Sequence, residues 1–172
     1  DFASQAVVIH QLTQKLGPIH MVAEESSGFL RDPAHASHLQ AATQAAGTVW
    51  PGVDARTLLD TIDAGSHAGG EAEGFWTLDP IDGTKGFLRG QQYAVCLAYI
   101  RGGEVVIGVL GCPNLPASAT SPLDVPDPTG SLFVAERSEG AWRLGAASER
   151  ERLMCSTWTP GSPVSMCESF EG

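Results

Sequence analysis

An apolar strand that ends in two carboxylates constrains this chain more than any other feature. Phe75 to Leu78 has a strand's character, Asp79 stands at its tip, and Pro80, Ile81, Asp82, Gly83 and Thr84 follow. Pro80 has no N–H for a ladder, so the chain is predicted to leave the sheet and turn there. Such a turn holds Asp79 and Asp82 on either side of one space, into which the carbonyl of Ile81 can point. Three hard oxygen ligands are what Mg²⁺ prefers. Gly83 lets backbone approach a ligand closely, and Thr84 adds a hydroxyl beside it. Asp-Pro and Asp-Gly pairs also make ordinary solvated turns, so a second element is needed. The apolar run Ile19 to Ala23 supplies it, ending in Glu24 and Glu25 before the loop Ser26, Ser27 and Gly28. A fold that brings these two strand ends together would build a site from carboxylates.

The 172 residues suffice for one substantial core. Ten basic against twenty acidic residues give a formal charge of −10. That balance argues against nucleic-acid polymers, whose phosphates call for a basic surface. A small phosphate ester is compatible with it, because cations held by carboxylates invert the local charge. No apolar run reaches the ~20 residues that span a bilayer, so no membrane partner is expected. Cys96, Cys112, Cys155 and Cys167 form no C-x-x-C pair and are expected to be buried thiols of an intracellular, cytoplasmic protein. The chain has no initiating Met and its first residue already belongs to a motif, so it reads as a fragment.

Ala3 to Leu16 carries apolar residues at 6, 7, 9, 12 and 16 and stops at Gly17-Pro18, which predicts a helix with Asp1 near its start. A cap is the ordinary role for such an Asp. Residues 28–74 are expected to be a variable, partly mobile excursion, with a short helix over Ala55 to Ile62 capped by Asp54. His35, His38 and His67 lie in it without metal-ligand spacing and read as solvated loop residues. Tyr93 to Ile100 and Glu104 to Leu110 predict a hairpin across Arg101-Gly102-Gly103. Their near-continuous apolar content predicts strands covered on both faces. Pro113 to Gly130 reads as an exposed loop, and Ser131 to Ala135 with Ala141 to Leu144 as a second hairpin. Arg152 to Ser156 is expected to add a strand, with Thr159-Pro160-Gly161 as a linker.

Four segments together carry a family resemblance: Asp1-Phe2-Ala3-Ser4-Gln5; Glu24-Glu25-Ser26-Ser27; the run D-P-I-D-G-T-K-G-F-L-R-G from Asp79 to Gly90; and Gly108 to Asn114. In that order they resemble the 3'(2'),5'-bisphosphate nucleotidases of the inositol monophosphatase and fructose-1,6-bisphosphatase superfamily, which are metal-dependent, lithium-sensitive phosphatases. The resemblance implies a mixed α/β (α+β) fold, a layered αβαβα sandwich of which this chain covers mainly the N-terminal helix-plus-antiparallel-sheet domain. Residues 1–160 would be that domain, incomplete at its start, and 161–172 the truncated beginning of a C-terminal one.

The resemblance further implies two or more Mg²⁺ ions held by Glu24, Asp79, the Ile81 carbonyl and Asp82. Asp1, hydrogen-bonded to Thr84, would orient and deprotonate the attacking water, with Gly83 and Thr84 binding the substrate. No catalytic role is assigned to Lys85 or Arg89. The implied reaction removes the 3'-phosphate of adenosine 3',5'-bisphosphate, a by-product of sulfate assimilation, to give AMP and phosphate; 3'-phosphoadenylyl sulfate is a further substrate to test. Two alternatives stand beside it: an inositol mono- or polyphosphate phosphatase with the same metals, and a noncatalytic regulatory or structural module. The family's W-D-H-A-A-G-like segment does not occur before Gly172. This chain taken alone is therefore expected to bind one metal weakly and adenine hardly at all. A monomer is expected.

Overall fold

The structure, a computed structural model, describes residues 1–70, 73–116, 125–127, 129–145 and 149–164. A fifteen-residue helix, α1 (Phe2–Leu16), leads to the short strand β1 (Met21–Ala23). The chain then passes through α2 (Gly28–Arg31), a 3₁₀ turn (Pro33–His35), α3 (Ala36–Gly47) and α4 (Ala55–Asp63) before β2 (Phe75–Asp82). After α5 (Thr84–Leu88) come β3 (Ala94–Arg101), β4 (Glu104–Cys112), β5 (Ser131–Glu136), β6 (Gly140–Leu144) and β7 (Arg150–Leu153). The seven strands form one sheet in sequence order; β1 and β2 are parallel, and every later pair is antiparallel. The fold is thus mixed α/β.

Residues 28–74 are not the irregular excursion that their Ala, Gly, His and Ser content predicts. Three helices occupy most of them and supply Leu30, Ala46, Leu58, Leu59 and Ile62 to a cluster closed by Ala6 of α1. Sparse apolar residues suffice because each sits at a helix crossing, where small alanines allow close approach. The short helix over Ala55 to Asp63 is as expected, with the Asp54 carboxylate accepting from the Thr57 N–H at 2.7 Å.

A second cluster joins α1 to the sheet: Ile9, Met21 and Leu78 are buried, flanked by Leu12, Ala23, Trp76 and Leu97. Alternation puts Val22, Thr77 and Asp79 on the opposite face. The expectation that β3 and β4 are covered on both faces needs correction. Ala94 to Ile100 are all only half-buried and Leu110 is 45 % exposed. A continuous apolar run reports hydrophobicity, and cannot say which elements arrive to cover it.

Cys155 is exposed, against expectation, while Cys96 and Cys112 are half-buried; all three are unbridged. Cys167 lies outside the described residues, as does most of the segment read as the start of a second domain. His38 is exposed, as expected, and His35 half-buried, but neither is a loop residue. They belong to the 3₁₀ turn and α3 and pack on the ring of Phe29, at 3.7 and 5.4 Å between centroids. His67 stacks on His20 at 4.4 Å.

Candidate metal and phosphate site

Parallel pairing of β1 with β2 decides where the carboxylates go. The register matches Met21 with Trp76, Val22 with Thr77 and Ala23 with Leu78. The next residue along each chain segment is Glu24, just beyond β1, and Asp79, still within β2, so the two acids stand side by side. Their side chains interact directly: burial, then the Asp79 charge and a hydrogen bond with Asp79, hold the Glu24 carboxyl above its ordinary range. Glu25 and Asp82 add smaller pushes in the same direction.

The strand does not end at Pro80, as its missing N–H predicts. β2 continues to Asp82, with a register shift between the Asp79–Cys96 and Asp82–Ala94 pairs. Such a bulge accommodates the missing donor and re-aims the side chains beyond it. Asp82 thereby comes to the Cys96 thiol, which donates to its Oδ2 at 3.7 Å. Burial first, then the charges of Asp82 and Asp79, push the Cys96 thiol up to about 11. Gly83 has φ 86°, a left-handed conformation open to glycine, and it turns the chain into α5.

Ile81 is buried, and its carbonyl accepts from the Thr84 hydroxyl at 3.1 Å. Thr84 therefore engages one of the expected ligand atoms instead of Asp1. Asp1 caps α1 without a side-chain bond to it. Its Oδ1 is buried with no hydrogen-bond partner among the described residues. A buried carboxylate oxygen left in that condition is costly and suits a ligand or water supplied from outside.

The structure thus brings Glu24 and Asp79 together and Asp82 into their field. Among the described residues, no group of three or more His, Cys, Asp or Glu side chains is gathered closely enough to hold an ion. The donor set is nonetheless all oxygen, and its like charges already raise one member, which is the condition a divalent cation relieves. Glu24 and Asp79 also edge a trough of about 800 Å³ on the sheet face away from α1, shared with Thr77, Cys96 and Ala98.

Ser4, Gln5 and Cys96 are site neighbours that the sequence reading did not single out. Gln5 had a signal: it shares the inward stripe of α1 with Ile9, four residues on, where a polar side chain needs a partner. Cys96 had none, since its place opposite Asp79 depends on strand register.

Comparison with known proteins shows the family of the chain. A model of the inositol monophosphatase family matches residues 4–169. The chain is 38% identical over 167 residues to the 3'(2'),5'-bisphosphate nucleotidase of Schizosaccharomyces pombe, covering 87% of this chain and 44% of that protein. It is 40% identical over 188 residues to 3'(2'),5'-bisphosphate nucleotidase 1 of Arabidopsis thaliana, covering 100% of this chain and 53% of that one. The chain spans about half the length of these relatives. A Ca-bound IMPase family protein from Staphylococcus aureus aligns in structure over 82% of this chain and 35% of its own, at 19% identity and a TM-score of 0.45. With a family model matched along nearly all its residues, the chain belongs to the inositol monophosphatase family.

Proposed function

We propose that the full-length protein carrying this chain is a Mg²⁺-dependent phosphatase that converts adenosine 3',5'-bisphosphate to AMP and phosphate. The observation that carries the reading is the parallel β1–β2 register, which sets Glu24 beside Asp79 with Asp82 one bulge away. The similar proteins of Schizosaccharomyces pombe and Arabidopsis thaliana, named as bisphosphate nucleotidases, support the choice of substrate. In this reading residues 1–160 form the catalytic N-terminal domain and 161–172 open a second one. A cytoplasmic monomer acting also on 3'-phosphoadenylyl sulfate completes it; the unbridged Cys96, Cys112 and Cys155 favour that compartment.

Glu24, Asp79, Asp82 and the Ile81 carbonyl would hold two or more ions. Bound divalent cations supply Lewis acidity at the phosphoryl oxygens and acidify a coordinated water. The chain's own contribution is orientation and one proton. Asp1 takes that proton from the attacking water at its buried Oδ1, the carboxylate oxygen that no described residue engages. The Thr84 hydroxyl relays it once turned from Ile81, and Gly83 and Thr84 bind the ester. A half-buried acid suffices because the water is already acidic.

The test is phosphate release by the full-length protein from adenosine 3',5'-bisphosphate and from inositol 1-phosphate. Release from the nucleotide is expected, and Asp79→Asn should lower it about a hundredfold or more, since even outer-shell partners of metals are worth 10- to 100-fold. Release from the inositol ester alone would replace this reading with the inositol phosphatase. A full-length protein that neither binds Mg²⁺ nor releases phosphate is the noncatalytic module.

A further inference from the structure

Two neighbouring polar residues of α1 grip the two acidic turns from behind. Gln5 is completely buried and uses both ends of its amide. Its Oε1 accepts from the Glu25 N–H at 2.9 Å, and its Nε2 donates to the Glu25 carbonyl at 2.8 Å and to the Ile62 carbonyl at 3.1 Å. Both backbone groups of Glu25 are thus fixed by one side chain. Ser4, the preceding residue, donates its hydroxyl to the carbonyl of Pro80 at 3.0 Å. Pro80 is itself fully buried and lies between Asp79 and Ile81.

Each contact is made on the α1 side of a strand end whose carboxylate faces the other way. Glu24 and Asp79 line the trough on the sheet face away from α1, while the backbones of their neighbours Glu25 and Pro80 take the bonds from the helix. The two anchors are separated by 20 and 76 residues in sequence from their partners, yet by a single residue on α1. The helix therefore sets the spacing between the Glu24 turn and the Asp79–Asp82 turn, which the three-residue strand β1 alone would leave loose.

We propose that Ser4 and Gln5 are positioning residues for the divalent-cation site, acting as a staple that registers its two acidic turns. Neither touches an ion; both act through backbone. A third residue guards the same contact. A Cβ on Gly65 would come within 2.8 Å of the Ala23 Cβ and 3.0 Å of Gln5 Nε2, so only glycine leaves the amide in place. The Gly65 carbonyl meanwhile accepts from the Ala23 N–H at 2.8 Å, tying it to the residue before Glu24.

The inference rests on the metal site proposed above, and the experiment separates the two. Mg²⁺ binding to the full-length protein is measured by calorimetry for wild type, Ser4→Ala, Ser4→Thr, Gln5→Met and Gly65→Ala, with thermal midpoints recorded without the ion. Ser4→Ala, Gln5→Met and Gly65→Ala should each weaken Mg²⁺ about tenfold, as loss of outer-shell support does. Ser4→Thr, which keeps the hydroxyl, should bind like wild type. In phosphate-release assays the loss should recover at high Mg²⁺, with the substrate KM unmoved. Lower midpoints with unchanged Mg²⁺ affinity would make the residues ordinary fold supports and overturn the proposal. Failure of Gln5→Met to fold leaves Ser4→Ala, half-exposed and conservative, to decide it. Wild type that binds no Mg²⁺ would bring down the metal site itself, and the staple with it.

Discussion

Asp63 illustrates at the residue scale how one side chain organises the approach to the site. Its carboxylate accepts from the Ser27 N–H at 3.1 Å, the Ser27 hydroxyl at 2.7 Å and Arg31 at 2.8 Å. Burial pushes its pKa up, but the bonds to Arg31 and Ser27 outweigh burial and hold it below the ordinary value of 3.8. The exposed Arg31 ion pair contributes little. Ser27 matters more, because it is only 2 % exposed and has two donors to satisfy. Asp63→Ala should therefore lower stability by about 1–2 kcal/mol in urea unfolding, mostly by orphaning Ser27. Because the folded pKa is depressed, this stabilisation is present above 3.8 and lost as pH falls through the folded value. The stability difference between wild type and Asp63→Asn should accordingly shrink as pH falls below 3.8.

At the scale of elements, α4 joins the core to the site. Leu58 and Ile62 are completely buried in the helical cluster, and the Ile62 carbonyl receives the Gln5 amide. Leu58→Ala should lower stability by about 2–5 kcal/mol in guanidinium unfolding followed by circular dichroism, the range for a large-to-small change in a closed core. A loss below about 1 kcal/mol would show that the three-helix layer repacks freely. This layer was also the least legible part of the sequence. Only α4 announced itself, through the Asp54 cap and Leu58, Leu59 and Ile62 on one face. α3 is largely alanine and polar residues, so its single buried residue, Ala46, leaves almost no periodic signal. β2 misled in the opposite way, since Pro80 promised a break and the bulge absorbed it.

For the molecule as a whole, charge sets the expectation. A net −10 makes self-repulsion part of the folded state, and the Glu24–Asp79 contact concentrates it at one edge of the sheet. Cation binding should then stabilise the full-length protein through linkage, by about 2.7 kcal/mol when free Mg²⁺ exceeds its Kd a hundredfold. Scanning calorimetry should show the thermal midpoint rising with Mg²⁺, falling back with a chelator, and hardly moving for Asp82→Asn. An equal rise in both proteins would assign the effect to general screening by salt.

The sequence by itself determined the chemistry on offer. The order of carboxylates, the Asp-Pro-Ile-Asp-Gly-Thr run, the strand ahead of it and the helix after Asp1 are local properties, set by side-chain type and backbone preference. They were enough to offer Asp79, Asp82 and the Glu24-Glu25 pair as candidates, with Glu24 chosen by the family resemblance, and to expect hairpins where β3–β4 and β5–β6 stand. Only the tertiary structure decided how that set is held. Parallel register put Glu24 against Asp79, a bulge delivered Asp82 to Cys96, and the Thr84 hydroxyl went to Ile81 instead of Asp1. The staple from Ser4 and Gln5 likewise exists only because α1 packs across two strand ends far apart in sequence. Side-chain type is a local quantity, whereas register and contact are settled by how whole elements pack, which no short window of sequence contains.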